Sequence, residues 1–287
     1  MKNADNNYIQ LHRIPFLCSK IAVMSYLDGK IAWVSGASSG IGKAVCEALA
    51  EAGATVVLSA RNAAGLETVL RGMKNPEKHT VLPLDLEQSG NFAELAAQIA
   101  AKHGRIDFLF NNGGLSQRAE AAETPLAVDR RIMEINYFGN IALAKAVLPY
   151  FQQQQSGHFV ITSSIAGKFG FYLRSAYSAS KHALHGYYES LALEEAKNNV
   201  FVTIACPGKI NTPISTHALT ADGQQHGVMD HNQETGMPAA ECAAILLKAV
   251  TQKKREILIG NKEIKAVTLK RLFPGLFWKI IKKQSAT

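Results

Sequence analysis

Tyr177 and Lys181 stand four residues apart in a segment, 176–196, that reads as a helix, so they share one face. A free tyrosine ionises near pH ~10, too high for a base at neutral pH. A neighbouring ammonium stabilises phenolate and lowers that value. Such a pair can give a proton to a carbonyl oxygen or take one from an alcohol. Ser164 lies upstream, at the end of the apolar run 158–162, where its hydroxyl can hydrogen-bond a developing oxyanion. Ser163 adjoins it, and neighbours on a strand face opposite ways. Tyrosine and lysine at this spacing are common helix decoration, so the pair gains weight only from a second motif.

That motif is Ser35-Gly36-Ala37-Ser38-Ser39-Gly40-Ile41-Gly42, which joins a short apolar strand to a helix. Glycines there permit a tight turn and a close approach of backbone to pyrophosphate, and the helix N-terminus favours the anion. The spacing is GxxxGxG, distinct from GxGxxG. Gly36, Ser38, Ser39, Gly40, Ile41 and Gly42 are therefore the expected phosphate cradle. The next strand ends Leu58-Ser59-Ala60-Arg61, with no acid to hold a ribose hydroxyl pair. Arg61 can receive a 2′-phosphate instead, which predicts NADP(H) over NAD. Asp85, with Leu86 beside it, ends the third strand and is placed to meet adenine; capping the next helix is its other reading.

The elements around these residues alternate. Strands are expected at 31–35, 55–60, 80–84, 106–110, 158–162, 200–205 and 256–259. Helices are expected at 41–52, 66–73, 92–102, 126–153, 176–196 and 239–250. Strand–helix alternation at this spacing means βαβ units and a parallel sheet covered on both faces, an α/β fold. Residues 212–237, rich in Gly, Asp, Asn and His, read as a loop or lid. No interdomain linker or internal repeat is visible, so 26–260 is one dinucleotide-binding and catalytic domain.

The chain has 287 residues, 47% of them hydrophobic, which excludes general disorder. Four scattered cysteines form no CxxC pair and suggest a reducing compartment. No apolar run reaches the roughly 18 residues of a spanning helix. The net charge of +8 invites a nucleic-acid reading. Ten of the 31 basic residues and two of the 23 acidic ones lie from Lys253 onward, leaving 21 of each sign before it. A neutral body with a basic tail argues against nucleic-acid binding. The tail, 261–287, is either solvated or attached to a membrane surface, since Leu272, Phe273, Leu276, Phe277, Trp278, Ile280 and Ile281 interleave with its cations. At the other end, Met24 precedes what reads as a natural chain start, so residues 1–25 are expected to be an extension outside the fold. None of the nine histidines joins a cysteine or carboxylate cluster at ligand spacing, so no metal is expected. His226 and His231 read as solvated lid residues, and Cys206 as a small buried hydrophobe.

Taken together the motifs resemble the short-chain dehydrogenase/reductase family over roughly 27–260. They run in order: Gly36, Gly40 and Gly42; Asn111-Asn112-Gly113-Gly114; Asn136; Ser164; Tyr177-Ser178-Ala179-Ser180-Lys181; and Pro207-Gly208. The resemblance implies a single Rossmann-type doubly wound sheet of about seven strands, and a homodimer or homotetramer. It implies Tyr177 as acid/base, with Lys181 lowering its pKa and binding the nicotinamide ribose. Ser164 would orient substrate and Asn136 hold a proton-relay water. Asn112, Pro207, Gly208, Ile210 and Thr212 would line the cofactor. Gly113 stands where the family usually has Ala, which removes no chemical group. The lid and the Phe273-Pro274-Gly275-Leu276-Phe277 tail resemble the member 7-type branch near 11β-hydroxysteroid dehydrogenase. That branch implies a hydrophobic carbonyl or alcohol substrate, such as a steroid, retinoid or lipid ketone. Its N-terminal membrane anchor has no equivalent in residues 1–25. The expected location is therefore cytoplasmic, peripheral at a membrane if the tail attaches. The alternatives are a 3-oxoacyl-carrier-protein reductase whose basic tail docks an acidic carrier, and a non-catalytic NADP(H)-binding or membrane-surface protein.

Overall fold

Ile31–Ser35 (β1) is buried from end to end, and its residues divide between two cores. Ile31 and Trp33 face one side of the sheet and Ala32 and Val34 the other. Strands of a parallel sheet read as continuous apolar runs because helices cover both faces. The computed structural model describes residues 22–283.

Seven parallel strands form the sheet: β1, β2 (Thr55–Ser59), β3 (Thr80–Val81), β4 (Phe108–Asn111), β5 (Gly157–Thr162), β6 (Val200–Pro207) and, last in the chain, a strand over Glu256–Ile259. Their spatial order is β3-β2-β1-β4-β5-β6 followed by that last strand. The chain winds outward from β1 to β3, then returns beside β1 and winds the other way from β4. The crevice at the carboxyl ends of β1 and β4 is thus a topological switch point, where α/β sheets bind ligands.

On one face, α1 (Gly40–Glu51), α2 (Ala63–Gly72) and the helix over Ala239–Thr251 bury Leu49, Leu66 and Leu246. On the other face, α3 (Phe92–His103), α4 (Leu126–Met133), α5 (Gly139–Gln154) and α6 (Ser175–Glu194) bury Ile99, Ile132, Phe151 and Tyr188. The single long helix expected over 126–153 is divided by a π-helical stretch, Glu134–Phe138, between α4 and α5. The segment expected as a loop or lid, 212–237, contains α7 (His231–Glu234) and is framed by β7 (Ile210–Asn211) and β8 (Met237–Pro238). The Ala239–Thr251 helix is α8, and the last strand, Glu256–Ile259, is β9.

Two differences concern the ends. The fold starts before residue 26: residues 22–27 are helical, Leu27 is buried, and Val23 and Tyr26 pack against the core. Residues 1–21 lie outside the described residues. Beyond β9, α9 (Lys265–Leu272) and α10 (Pro274–Ile281) fold back onto the domain. Phe277 and Ile281 join Ile165 and Phe169 in a third apolar cluster, with the Phe169 and Phe277 rings edge to face at 5.1 Å.

Candidate active site

The carboxyl ends of the central strands open into one cleft of about 960 Å³. Its first half is made of backbone. Gly36 turns the chain out of β1 with φ of +68°, and a Cβ there would lie 2.7 Å from Gly113 Cα. Gly42, on the first turn of α1, is pressed against the Gly36 carbonyl, so any side chain would push helix and loop apart. Asn112 braces the loop: its backbone N–H donates to Ser35 Oγ at 3.1 Å and its side-chain amide to Gly36 O at 3.4 Å. Ser39 caps α1 without a side-chain hydrogen bond, so the helix presents bare N–H groups behind the loop. The cradle suits a pyrophosphate, which approaches the backbone where glycines alone leave room. All residues selected for the cofactor line this cleft except Gly42, which packs beneath it. Arg61 and Asp85 also border a shallower recess with Leu84 and Gln88.

The second half is made of side chains. Tyr177 is buried on the first turns of α6, and burial raises its phenol above the ordinary value. A hydrogen bond with Ser164 and the charges of Arg174 and Arg118 oppose that rise. Lys181 is buried one turn on, its Nζ 5.7 Å from the Tyr177 ring centre and donating to Thr162 O at 2.8 Å. Burial holds Lys181 down to about 8. The two serines separate as strand geometry predicts. Ser164 accepts from Ala166 N–H at 3.1 Å and faces Tyr177. Ser163 donates to Lys181 O at 3.1 Å and meets His185 Nε2 at 3.0 Å, behind the site.

Asn136 does not line the cleft. It sits in the π-helical stretch, fully buried, and clamps Leu115 through both backbone groups, accepting its N–H at 2.7 Å and donating to its carbonyl at 2.8 Å. It also donates to Ser180 Oγ at 3.0 Å. A Cβ on Gly114 would come within 2.9 Å of Asn136 Oδ1 and 3.6 Å of Lys181 Nζ, so glycine keeps the space between them clear.

Three residues escaped the sequence reading. Arg118, Arg174 and Asp230 meet in the buried wall between lid and body, Asp230 accepting from Arg118 Nε at 3.0 Å and from Arg174 at 3.2 Å. Arg174 and Asp230 also line the cleft, and burial holds Arg174 down to about 10. The arginines lie far from Asp230 in sequence, and no local pattern announces the group. In the lid, His217 lines the cleft, whereas His226 and His231 do not. Apolar residues close the far end: Phe169 and Phe171 from the loop before α6, and Ala266, Leu269, Phe277, Ile280 and Ile281 from α9 and α10. Behind the site, the fold gathers His185, Cys206 and Glu256, whose ligand-type atoms lie within 4.8 Å of one another. The Lys168 ammonium is already paired with Glu256 and lies 3.3 Å from His185 Nδ1, where a cation would compete with it. Burial pushes the Cys206 thiol up to about 12.

The model of the short chain dehydrogenase family matches residues 30–223. The chain belongs to the short-chain dehydrogenase/reductase family. This short-chain dehydrogenase/reductase is 40% identical over 271 residues to dehydrogenase/reductase SDR family member 7B of Mus musculus, covering 92% of this chain and 84% of that protein. That likeness places it in the member 7 branch. Two solved structures share the fold. A short-chain dehydrogenase/reductase from Burkholderia phymatum in complex with NAD superposes with a TM-score of 0.77 at 22% identity, over 91% of this chain and 97% of that one. One from Burkholderia cenocepacia in complex with NADP gives 0.75 at 24%, over 90% and 99%. As a member of this family the protein is an oxidoreductase with a Rossmann-type nucleotide-binding fold, and its cofactor is a nicotinamide dinucleotide.

Proposed function

We propose that the protein is an NADP(H)-dependent carbonyl reductase or alcohol dehydrogenase acting on a hydrophobic substrate, with Tyr177 as its acid/base. The observation that carries this reading is the convergence of Tyr177, Ser164 and Lys181 where the backbone cradle meets an apolar wall. When bound, the cofactor supplies or takes the hydride. Burial keeps the Tyr177 phenol protonated at neutral pH, the state that gives a proton to a carbonyl oxygen. Arg118, Arg174 and the Ser164 hydroxyl favour the phenolate left behind. Ser164, already within hydrogen-bonding reach of the phenol, is placed to donate to the same carbonyl oxygen. Lys181, fixed by Thr162 O, holds the ribose and returns a proton toward Tyr177. Asn136 and Gly114 border that return path. Arg61, at the end of β2 with no acid beside it, supports the 2′-phosphate and hence NADP(H).

The apolar far end of the cleft supports a ketone of steroid, retinoid or lipid type. Family resemblance supports a homodimer or homotetramer, and the scattered cysteines without a CxxC pair support the cytoplasm. No helix among the described residues is long and apolar enough to cross a membrane. The basic, partly apolar C-terminal segment supports a peripheral membrane contact. NADPH oxidation against a panel of steroid, retinoid, lipid and short-chain ketones tests the reading, with Tyr177→Phe alongside. We expect turnover of a hydrophobic ketone and a loss of about 10²–10⁴-fold in the variant, with NADPH binding retained. Unchanged turnover in Tyr177→Phe would remove Tyr177 from the chemistry.

A further inference from the structure

The α9–α10 pair has two faces with different tasks. Phe277 and Ile281 point inward, are nearly or fully buried, and wall the substrate end of the cleft. Leu272, Phe273, Leu276, Trp278 and Ile280 point outward and stay 43–60% exposed. This is an unusual density of large apolar side chains for a water-facing surface. Arg271, Lys279, Lys282 and Lys283 stand exposed among them, and no acidic residue occurs from Ile264 to Lys283. Glu263, just before, is occupied by the backbone N–H groups of Lys209 and Asn261.

Ile280 belongs to both surfaces: it lines the cleft and is 43% exposed. The lining of the cleft and the outer face of α10 therefore meet at this residue. Tyr172, itself exposed, fixes this rim by donating from its hydroxyl to Lys282 O at 3.4 Å. Lys270 fixes the base of the pair by donating to Lys168 O at 2.8 Å.

We propose that the outer face of α9–α10 docks on an anionic lipid bilayer and that the substrate cleft opens onto that bilayer past Ile280. The proposal deepens the peripheral membrane contact and hydrophobic substrate inferred above and rests on them. Charge decides the occupant. Aromatic and aliphatic side chains interleaved with cations match an interface of acyl chains and anionic headgroups. A second copy would bring the same cations face to face with no acid in either segment to offset them, over a patch of a few side chains where a stable interface needs about 800 Å² per partner. The geometry has a consequence for catalysis. A ketone dissolved in the bilayer reaches the apolar end of the cleft without crossing water, and its carbonyl enters toward Tyr177.

The test uses the full chain and vesicles of phosphatidylcholine with or without phosphatidylserine. Trp33 is fully buried in the core, so a fluorescence response to vesicles reports on Trp278, the other of the two tryptophans. We expect sedimentation with the phosphatidylserine vesicles, quenching of Trp278 by brominated acyl chains, and release by salt. Lys279→Gln and Lys282→Gln should each lower partitioning about fivefold. Leu276→Ser, a position outside the cleft lining, should weaken it further while NADPH binding stays intact. Leu276→Ser should also raise the KM for a long-chain ketone carried in the vesicles, leaving kcat and turnover of a short water-soluble ketone unchanged. Absence of Trp278 quenching would overturn the docking. Salt-sensitive binding indifferent to Leu276→Ser would point to an acidic protein partner and overturn it equally. So would a Leu276→Ser chain that dissociates from an oligomer and still binds vesicles. An unchanged KM for the vesicle-borne ketone would overturn the port. Failure to reduce any ketone would defeat the enzymatic reading alone, since quenching is read without turnover.

Discussion

The two halves of the cleft are built differently. The half proposed to hold the cofactor phosphates is backbone against backbone, Gly36 on Gly113 and Gly42 on Gly36, within one strand–loop–helix unit and its neighbouring strand. The half proposed to take the substrate is side chain against side chain, assembled from the loop after β4, the start of α6, residues of 212–237 and the C-terminal helices. A backbone cradle tolerates no added atom but serves any dinucleotide. A wall of packed side chains from distant segments can be remade piece by piece for a new substrate. Damage to the first half should therefore remove cofactor binding, and damage to the second should alter substrate handling first.

The sharpest break of this contrast is Gly42→Ala. The added methyl drives α1 off the Gly36 carbonyl, so we expect NADPH affinity to fall at least 100-fold, measured by fluorescence titration, with a lower melting temperature. Intact affinity would show that the loop yields. The matching break on the other side is Asp230→Asn, which removes the carboxylate shared by Arg118 and Arg174. Breaking a buried charge pair costs about 3–5 kcal/mol, read by urea unfolding. Ketone KM should rise while the NADPH dissociation constant holds. Equal damage to both constants would mean that the halves are coupled.

Arg61→Ser probes the one charged side chain in the cofactor half that discriminates between dinucleotides. Loss of charge-assisted hydrogen bonds should weaken NADPH by about 1.5–3 kcal/mol and leave NADH unchanged. Equal loss for both cofactors would place the 2′-phosphate elsewhere. The smallest effect lies in the sheet beneath both halves. His158 is buried beside Phe108 and Phe201, with Nε2 at 2.8 Å from Thr203 Oγ1, and burial lowers it to about 3. Unfolding restores an ordinary histidine that binds a proton below about pH 6.5. Stability is therefore full above that pH and is lost as pH falls toward the folded value, by ~2 kcal/mol at pH 5. His158→Phe should flatten this slope in thermal melts between pH 7 and 5, and an unchanged slope would assign it to other groups.

The sequence alone determined the sheet, the glycine loop and the Tyr177–Lys181 pair, whereas Ser164 was preferred to its neighbour by resemblance to the family. The first three rest on local spacing: strand–helix alternation, the helical repeat of α6, or glycines where backbone meets backbone. Even there the local signal had limits. It missed the π-helical stretch in which Asn136 holds Leu115 by both backbone groups, because nothing in 134–138 departs from helical composition. It read 261–287 as a basic tail from its charge, whereas packing against Phe169 makes Phe277 and Ile281 a wall of the cleft. Only the tertiary structure decided the Arg118–Asp230–Arg174 group, the gathering of His185 with Cys206 and Glu256, and the two faces of α10. These are contacts between segments far apart in the chain. Burial and facing charge, which give such side chains their chemistry, exist only after the sheet has brought those segments together.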